Sequence, residues 1–334
     1  MTPSSPTAGR RADLEVPPAL DGERVDRAIA LLCEVPRSEA AALVSAGRVT
    51  VDGKVVATRS RRVEPGQRLE VDLPEVVGVV LEPEPDVDVP VVAADDAVIV
   101  VDKPPGLVVH PGAGHPTGTM VQGLLARYPE IAGVGDPGRP GVVHRLDAGT
   151  SGLLVVARTP AAYRSLVGQL AERTVDRRYL ALAWGTFEAD AGMVDAPVGR
   201  STGDPTQMAV ATDGRPARTR YRVLERFTSP VAATLVECTL ETGRTHQIRV
   251  HLAAIGHPVV GDARYRGRRP SLAAHRPFLH AYSLGFDHPQ HGRRCSYESL
   301  LPDDLEDVRV GLLDESGGVR APGPEPDPGS WSPG

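Results

Sequence analysis

The stretch VVHRLDAGTSGLLVVART, residues 142–159, sets two apolar runs on either side of a polar knot, His144-Arg145-Leu146-Asp147, followed by a Gly-rich turn. The runs GVVHRL and SGLLVVAR read as strands, because short apolar segments bounded by turn residues suit a sheet better than a helix. On an extended Val142–Asp147, Arg145 and Asp147 share a face with Val143, while His144 and Leu146 take the other. Taken alone, an Asp before Ala-Gly-Thr-Ser-Gly most often forms an Asx-turn holding its own backbone. Gly149 and Gly152 would allow backbone turns closed to other residues.

Working outward, AVIVVDKPPGLVVHPG reads as strand, Pro-Pro-Gly turn and second strand. Thr159 as N-cap and Pro160 at the first position open a helix with Tyr163, Leu166, Val167 and Leu170 at helical spacing. RYLALAWGTF alternates, with Tyr179, Ala181 and Ala183 on one face, so the Tyr179 ring has small neighbours and room in front of it. PARTRYRVLERF and VAATLVECTLETG are two long alternating runs suited to adjacent antiparallel strands. In LETGRTHQIRVHLAAIGHPVVGDARYR, Thr245 can cap a helix that ends at Gly256. Arg249 then lies near the positive end of that helix, where a cation calls for a carboxylate from elsewhere; such a pairing would keep the carboxylate ionised. Helices scattered among antiparallel strands give an α+β fold class, a mixed and mainly antiparallel sheet, rather than a doubly wound one.

Before this domain, residues 19–74 form a small α+β module. It has helical patterns at Asp26–Cys33 and Glu39–Ala46, Gly47, a hairpin at Asp52-Gly53, and a closing strand. Residues 75–96 carry seven acids, three prolines and no base, and read as an acidic extended linker. The expected division is therefore a disordered tail at 1–18, the module at 19–74, the linker at 75–96, the main domain at 97–314, and a Pro/Gly-rich disordered tail at 315–334.

The 334 residues carry a net charge of −6, unevenly placed: residues 101–300 have a net of +7 and the remainder −13. A basic centre between acidic ends suits a phosphate-bearing partner. The apolar runs are far shorter than the roughly 20 residues that span a bilayer, and the first residues lack an apolar signal core, so a soluble cytoplasmic protein is expected. Three scattered cysteines suggest neither a disulfide framework nor a thiolate zinc site. The histidines, including His246 with His251 and His110 with His115, are not read as a metal site, and no Gly-rich nucleotide loop or G-x-S-x-G elbow occurs. His280 reads as a core histidine, and the GDARYRGRRPS loop as a phosphate contact.

GVVHRLDAGTSGLLVVA, RRYLALAWG, LETGRTHQIRVHLAAIGHPVVGDARY and FLHAYSLGFDHP resemble, in order, the motifs of the RluA/RluD family of RNA pseudouridine synthases. The resemblance covers roughly residues 97–302. RSEAAALVSAGRVTVDGKVV resembles the ribosomal-protein-S4-like RNA-binding domain, and with HPGAGHPTGTMVQGLLARYP it points to the RluD branch. The resemblance implies an isomerase that converts uridine to pseudouridine in structured RNA, chiefly the helix-69 stem-loop of large-subunit (23S) ribosomal RNA in pre-50S particles. It also implies a monomer needing neither metal nor cofactor. By the same resemblance Asp147 is the catalytic aspartate, Tyr179 packs on the base and is a candidate for taking the proton from carbon 5, and Arg249 pairs with the aspartate. Arg145 would fill the space left by the flipped uridine, and Arg37, Arg48, Lys54, Arg244, Arg264 and Arg266 would contact RNA. Ala148 stands where the family often has Lys, and Arg177 where a Lys is common. Alternatives are a silent RNA-binding assembly factor, a synthase acting on another RNA such as tRNA, or a glycosidic hydrolase with Glu172 or Asp262 as its second carboxylate.

Overall fold

A computed structural model describes residues 10–33, 35, 37–73, 81–112, 114–204 and 206–316. The chain divides into two units, residues 1–80 and residues 81–334. In the first, β1 (Arg10–Glu15), α1 (Val25–Leu32), α2 (Arg37–Ser45), β2 (Val49–Val51), β3 (Lys54–Val55) and β4 (Arg68–Leu73) form an antiparallel sheet, order β1-β4-β2-β3, with two helices. The expected hairpin is present: Asp52 and Gly53 both have positive φ, 50° and 74°, as the tight primed turn between twisted strands demands. Ile29, Leu43, Val49, Leu69 and Val71 are fully or nearly fully buried in one core. The disordered tail expected for 1–18 is corrected over Arg10–Glu15, which pairs with β4 residue by residue. Residues 1–9 lie outside the described residues.

The second unit holds β5 (Val91–Ala94), β6 (Val98–Lys103), α3 (Met120–Arg127), β7 (Ser151–Ala157), α4 (Pro160–Glu172), β8 (Asp176–Trp184), β9 (Ala191–Asp195), β10 (Val198–Arg200), β11 (Met208–Val210), β12 (Arg218–Phe227), β13 (Ala233–Leu240), α5 (Gln247–Ala254), β14 (Leu279–Asp287), β15 (Arg294–Glu298) and α6 (Asp303–Ser316). Its nine-stranded sheet runs β5-β6-β7-β14-β8-β13-β12-β9, with β15 on β14. Among the described residues β7 and β14 pair parallel and the sheet's other pairings are antiparallel, so the α+β class holds. Thr159 caps α4, its hydroxyl accepting from the Ala162 N–H at 3.1 Å, with Pro160 at the first position. β12 and β13 are the paired antiparallel strands foreseen from their alternation.

Three local expectations are corrected. Residues 107–112 are not a strand: the Val108 and Val109 carbonyls accept the Met120 and Val121 N–H groups, so this stretch serves the start of α3. Residues 142–147 are not a strand either. His144 Nε2 accepts the Val155 N–H at 3.2 Å, a side chain occupying a ladder position, and a single bridge joins Val142 to Val156. The linker expected at 75–96 is folded from residue 81. Val91–Ala94 pairs with β6, and Glu84 accepts from the Gly118 N–H at 2.7 Å and the Gln122 side-chain amide at 2.8 Å. Residues 74–80 lie outside the described residues, as do 317–334 of the second expected tail, while α6 continues through Glu315 and Ser316.

Gly152 is the close approach on which the parallel junction depends. Its φ is +112°, and a Cβ there would lie 2.3 Å from the Ala281 carbonyl oxygen, opposite it on β14. Gly152→Ala should therefore destabilise the second unit by about 2 kcal/mol or more, read from its urea midpoint. An unchanged midpoint would show that β7 and β14 can separate freely.

Candidate active site

Asp147 sits on the short loop between the His144 anchor and β7, where its carbonyl accepts the Thr150 N–H at 3.0 Å. Three groups hold the loop from outside. The Ala148 carbonyl accepts from the Gly106 N–H at 2.8 Å and from Lys103 Nζ at 3.3 Å, and the Gly149 carbonyl accepts from Arg276 Nη1 at 3.2 Å. Lys103 ends β6 with no exposed surface, and its Nζ also donates to the Pro104 and Leu107 carbonyls, both at 2.8 Å. Burial, helped by the Arg276 cation, pushes its pKa down to about 7, while the Asp147 carboxylate pulls it back up.

Arg249 is the hub of the site. Nη1 donates to Asp147 Oδ2 at 3.0 Å, while Nε and Nη2 grip Asp262 at 2.6 and 2.9 Å in a bidentate pair. Asp262 is fully buried, and its Oδ1 also accepts the Arg264 and Tyr265 N–H groups. The guanidinium carbon lies 5.0 Å from the centre of the Tyr265 ring. Desolvation opposes the charge on Arg249, but the two carboxylates outweigh it and its pKa is raised. Asp147 Oδ1 has no hydrogen-bond partner among the described residues, so one carboxylate oxygen is held and the other is free.

The cap of α5 differs from expectation. The helix begins at Gln247, and its N-cap is His246 in the left-handed region, φ 58°, rather than Thr245. The Gln247 side-chain oxygen explains the change, because it accepts from the Thr242 hydroxyl at 2.7 Å and the Arg244 N–H at 3.0 Å and so ties down the chain ahead of the helix. His246 is thereby turned toward the site: Nδ1 is 2.8 Å from the Tyr265 hydroxyl and Nε2 3.9 Å from Asp147 Oδ2. Burial lowers its pKa against the pull of Asp147.

A cleft of about 630 Å³ opens above these groups, and Asp147, Tyr179, Arg249, Arg145, Arg244 and His246 are among the residues lining it. Tyr179, on β8, has no hydrogen bond to its hydroxyl among the described residues. Burial pushes its pKa up to about 12, partly offset by Arg177 and reinforced by Asp147. Arg145 is exposed at the lining and Arg244 is half-buried. Arg264 and Arg266, expected to contact RNA, are both exposed and lie outside the lining of the cleft. Asp262 draws in the backbone N–H of Arg264 while its side chain reaches the Thr206 carbonyl, and Arg266 is at φ 62° on the outside of the turn. Arg48 and Lys54 are exposed on the small unit, and the Arg37 side chain lies outside the described residues.

Lys103, Arg276 and Tyr265 escaped the sequence reading, His246 was considered only as a metal ligand, and Asp262 only as a hydrolase acid. Lys103 had a signal: it is one of two lysines in a chain whose other basic residues are arginine, and it closes an apolar strand. His280 is in the core as expected, with Nδ1 3.0 Å from the Ser151 hydroxyl. His251 is buried between the Thr219 hydroxyl and the Ala196 carbonyl. No cluster of three or more His, Cys, Asp and Glu residues among those described is placed to hold a metal ion. Nor is any described helix long and apolar enough to cross a membrane.

The family model for RNA pseudouridylate synthase matches residues 97–254, and the model for the S4 domain matches residues 23–69. An uncharacterized RNA pseudouridine synthase of Bacillus subtilis, YlyB, is 43% identical over 86% of this chain and 93% of its own. This chain belongs to the RNA pseudouridine synthase family. The ribosomal large subunit pseudouridine synthase D of Pseudomonas aeruginosa is 44% identical over 87% of this chain and 92% of its own. Among solved structures, human RNA pseudouridylate synthase domain containing 1 aligns with a TM-score of 0.51 at 26% identity, covering 73% of this chain and all of that one. The activity of the family is the isomerisation of uridine to pseudouridine in RNA, and this chain is an isomerase of that kind.

The buried ammonium yields a prediction about stability. With a folded pKa near 7 against 10.5 in the unfolded chain, Lys103 is protonated in the unfolded state and increasingly neutral in the folded state between those values. The unfolded state binds more protons there, so stability rises with pH across that window, by an amount on the order of a few kcal/mol. The urea midpoint of Lys103→Met, followed from pH 7 to 10, should rise less than that of the wild type. Parallel curves would remove Lys103 as the source.

Proposed function

We propose that the chain isomerises uridines of large-subunit ribosomal RNA, in the helix-69 stem-loop, with Asp147 as the group that opens the glycosidic bond. The observation that carries this reading is the asymmetric carboxylate: Oδ2 fixed by Arg249, Oδ1 unpartnered, at the floor of a cleft lined by arginine. In the reaction the bond from N1 of uracil to C1′ of the ribose breaks, the base turns, and C5 bonds to C1′. The C5 proton leaves and N1 gains one, so the product is an isomer and no co-reactant is consumed.

In this reading Arg249 holds the carboxylate ionised and oriented, as an activated group in a partly buried site requires. Tyr179 stands as a phenol at neutral pH, since its pKa is pushed up to about 12. We therefore assign its ring to packing on the base and its hydroxyl to donation, and give removal of the C5 proton to the carboxylate. Arg145, exposed beside Asp147, takes the place of the flipped uridine in the stack, because the reacting C1′ is shielded while the nucleotide remains paired. The small unit adds an RNA-binding surface through Arg48 and Lys54, with Arg37 on the same module. The protein acts as a cytoplasmic monomer on ribosomal RNA or its pre-50S particles.

The test is a pseudouridine map of ribosomal RNA from cells lacking the gene, complemented with wild type or Asp147→Asn. The wild type should restore modification in the large-subunit stem-loop and Asp147→Asn should not, though the variant folds and binds RNA. Restoration by Asp147→Asn would remove Asp147 from the chemistry, and restoration at other sites alone would replace the target. A second outcome concerns Tyr179. Single-turnover rates should stay flat from pH 7.5 to 9.5, whereas a tenfold rise per pH unit would identify the phenolate as the base.

A further inference from the structure

Three buried side-chain nitrogens have no hydrogen-bond partner among the described residues: His110 Nδ1, His144 Nδ1 and Arg177 Nε. All three belong to residues lining the cleft. Arg177 is the costliest of them. It is 7% exposed on β8, two residues before Tyr179 and on the same face, and the one hydrogen bond of its side chain among the described residues is a long contact of 3.5 Å from Nη2 to the Leu240 carbonyl. No carboxylate pairs with it among the described residues. A buried guanidinium without a counter-charge is expensive, and burial lowers its pKa accordingly.

Three further arginines line the same cleft, Arg173 just beyond α4, Arg215 ahead of β12 and Arg244 ahead of α5, and Arg173, Arg177 and Arg215 all act on Arg244. Arg244 is half-buried, and after desolvation its neighbours Arg215, Arg173 and Arg177 all act to lower its pKa, so the four cations share one field. Glu241, a carboxylate of the same cleft lining, is already divided among Arg220 at 2.7 Å, Arg218 at 3.1 Å and Arg173 at 3.5 Å. Gly243 shapes the backbone to admit the Arg177 head group, since a Cβ there would lie 2.8 Å from Nη1.

We infer that Arg177, with Arg173, Arg215 and Arg244, forms a phosphate-binding subsite of the cleft, separate from the Arg249 pair that holds Asp147. A phosphate group supplies the missing counter-charge, and planar guanidinium groups bind its oxygens in bidentate fashion. The source of the phosphate is a linkage of the RNA backbone next to the target uridine, which rests on the ribosomal-RNA reading above, or free inorganic phosphate, which does not. The subsite would fix the backbone on the Tyr179 side while Asp147 meets the sugar. Phosphate contacts set register without reading sequence, so the subsite contributes position rather than base choice.

The test compares the wild type with Arg177→Met in two arms. In the first, inorganic phosphate is added at constant ionic strength and thermal unfolding is followed. Phosphate should raise the wild-type midpoint and leave that of Arg177→Met unmoved, and without phosphate the variant should be at least as stable as the wild type because it has lost an unpaired buried charge. In the second, a synthetic helix-69 stem-loop carries single methylphosphonate linkages around the target uridine. One neutral linkage should weaken wild-type binding and leave Arg177→Met unaffected, and the variant's salt slope should fall by about 0.7. Coupling in the RNA arm assigns the subsite to the backbone, and coupling in the phosphate arm alone assigns it to free phosphate. Phosphate stabilising both proteins equally, together with identical methylphosphonate losses, would overturn the subsite. If Arg177→Met fails to fold, Arg244→Gln is read in the same two arms, with the same pattern expected. Wild-type modification of the unsubstituted stem-loop is measured alongside, so that a wrong RNA target is told apart from a wrong subsite.

Discussion

One guanidinium between two carboxylates organises this isomerase. Arg249 could not be buried on an apolar helix by Asp147 alone, because that carboxylate is partly exposed and meets it through a single hydrogen bond. Asp262, fully buried and bidentate, carries the permanent half of the charge balance, and Tyr265 covers the guanidinium face. The division leaves all three guanidinium nitrogens of Arg249 hydrogen-bonded within the protein. A partner so held can orient a carboxylate without reorganising during reaction, and in a partly desolvated cleft this preorganisation matters more than the strength of the pair itself.

Around this hub the backbone is bent to the needs of the site. Lys103, Gly106 and Arg276 all donate to carbonyls of the Asp147 loop, and His144 takes a strand's place against β7. The loop is therefore fastened by the side chains of Lys103, Arg276 and His144 and by the Gly106 backbone N–H, where a regular sheet would use backbone partners throughout. A site made this way can keep an irregular wall within a continuous sheet.

Much of the framework was legible along the chain because its determinants are local. Thr159-Pro160 marks the start of α4, Asp52-Gly53 sets the hairpin, and the alternation of β8, β12 and β13 sets their faces. Asp147, Tyr179 and Arg249 could be named from motifs, yet Arg249 and Asp147 are 102 residues apart and their pairing depends on the whole sheet. What could not be read arises where a side chain substitutes for backbone or a carbonyl serves a neighbouring helix. His144 has the pattern of a strand residue, and Val108-Val109 alternate like a strand while feeding α3. The Arg177 problem was also invisible, because a basic residue near a strand end looks solvated until the absence of a counter-charge around it is known.

The folded half of the acidic stretch has a further consequence. Val91–Ala94 is the border of the large sheet, and a chain beginning at Ala97 would leave the β6 backbone groups uncovered, a ready template for pairing with another molecule. Asp95, just past β5, accepts the Ala97 and Val98 N–H groups at 2.8 and 2.9 Å and lies 2.8 Å from His288 Nε2, so this acid ties the strand to the domain. A stretch whose composition looks like a spacer thus supplies the strand that covers β6.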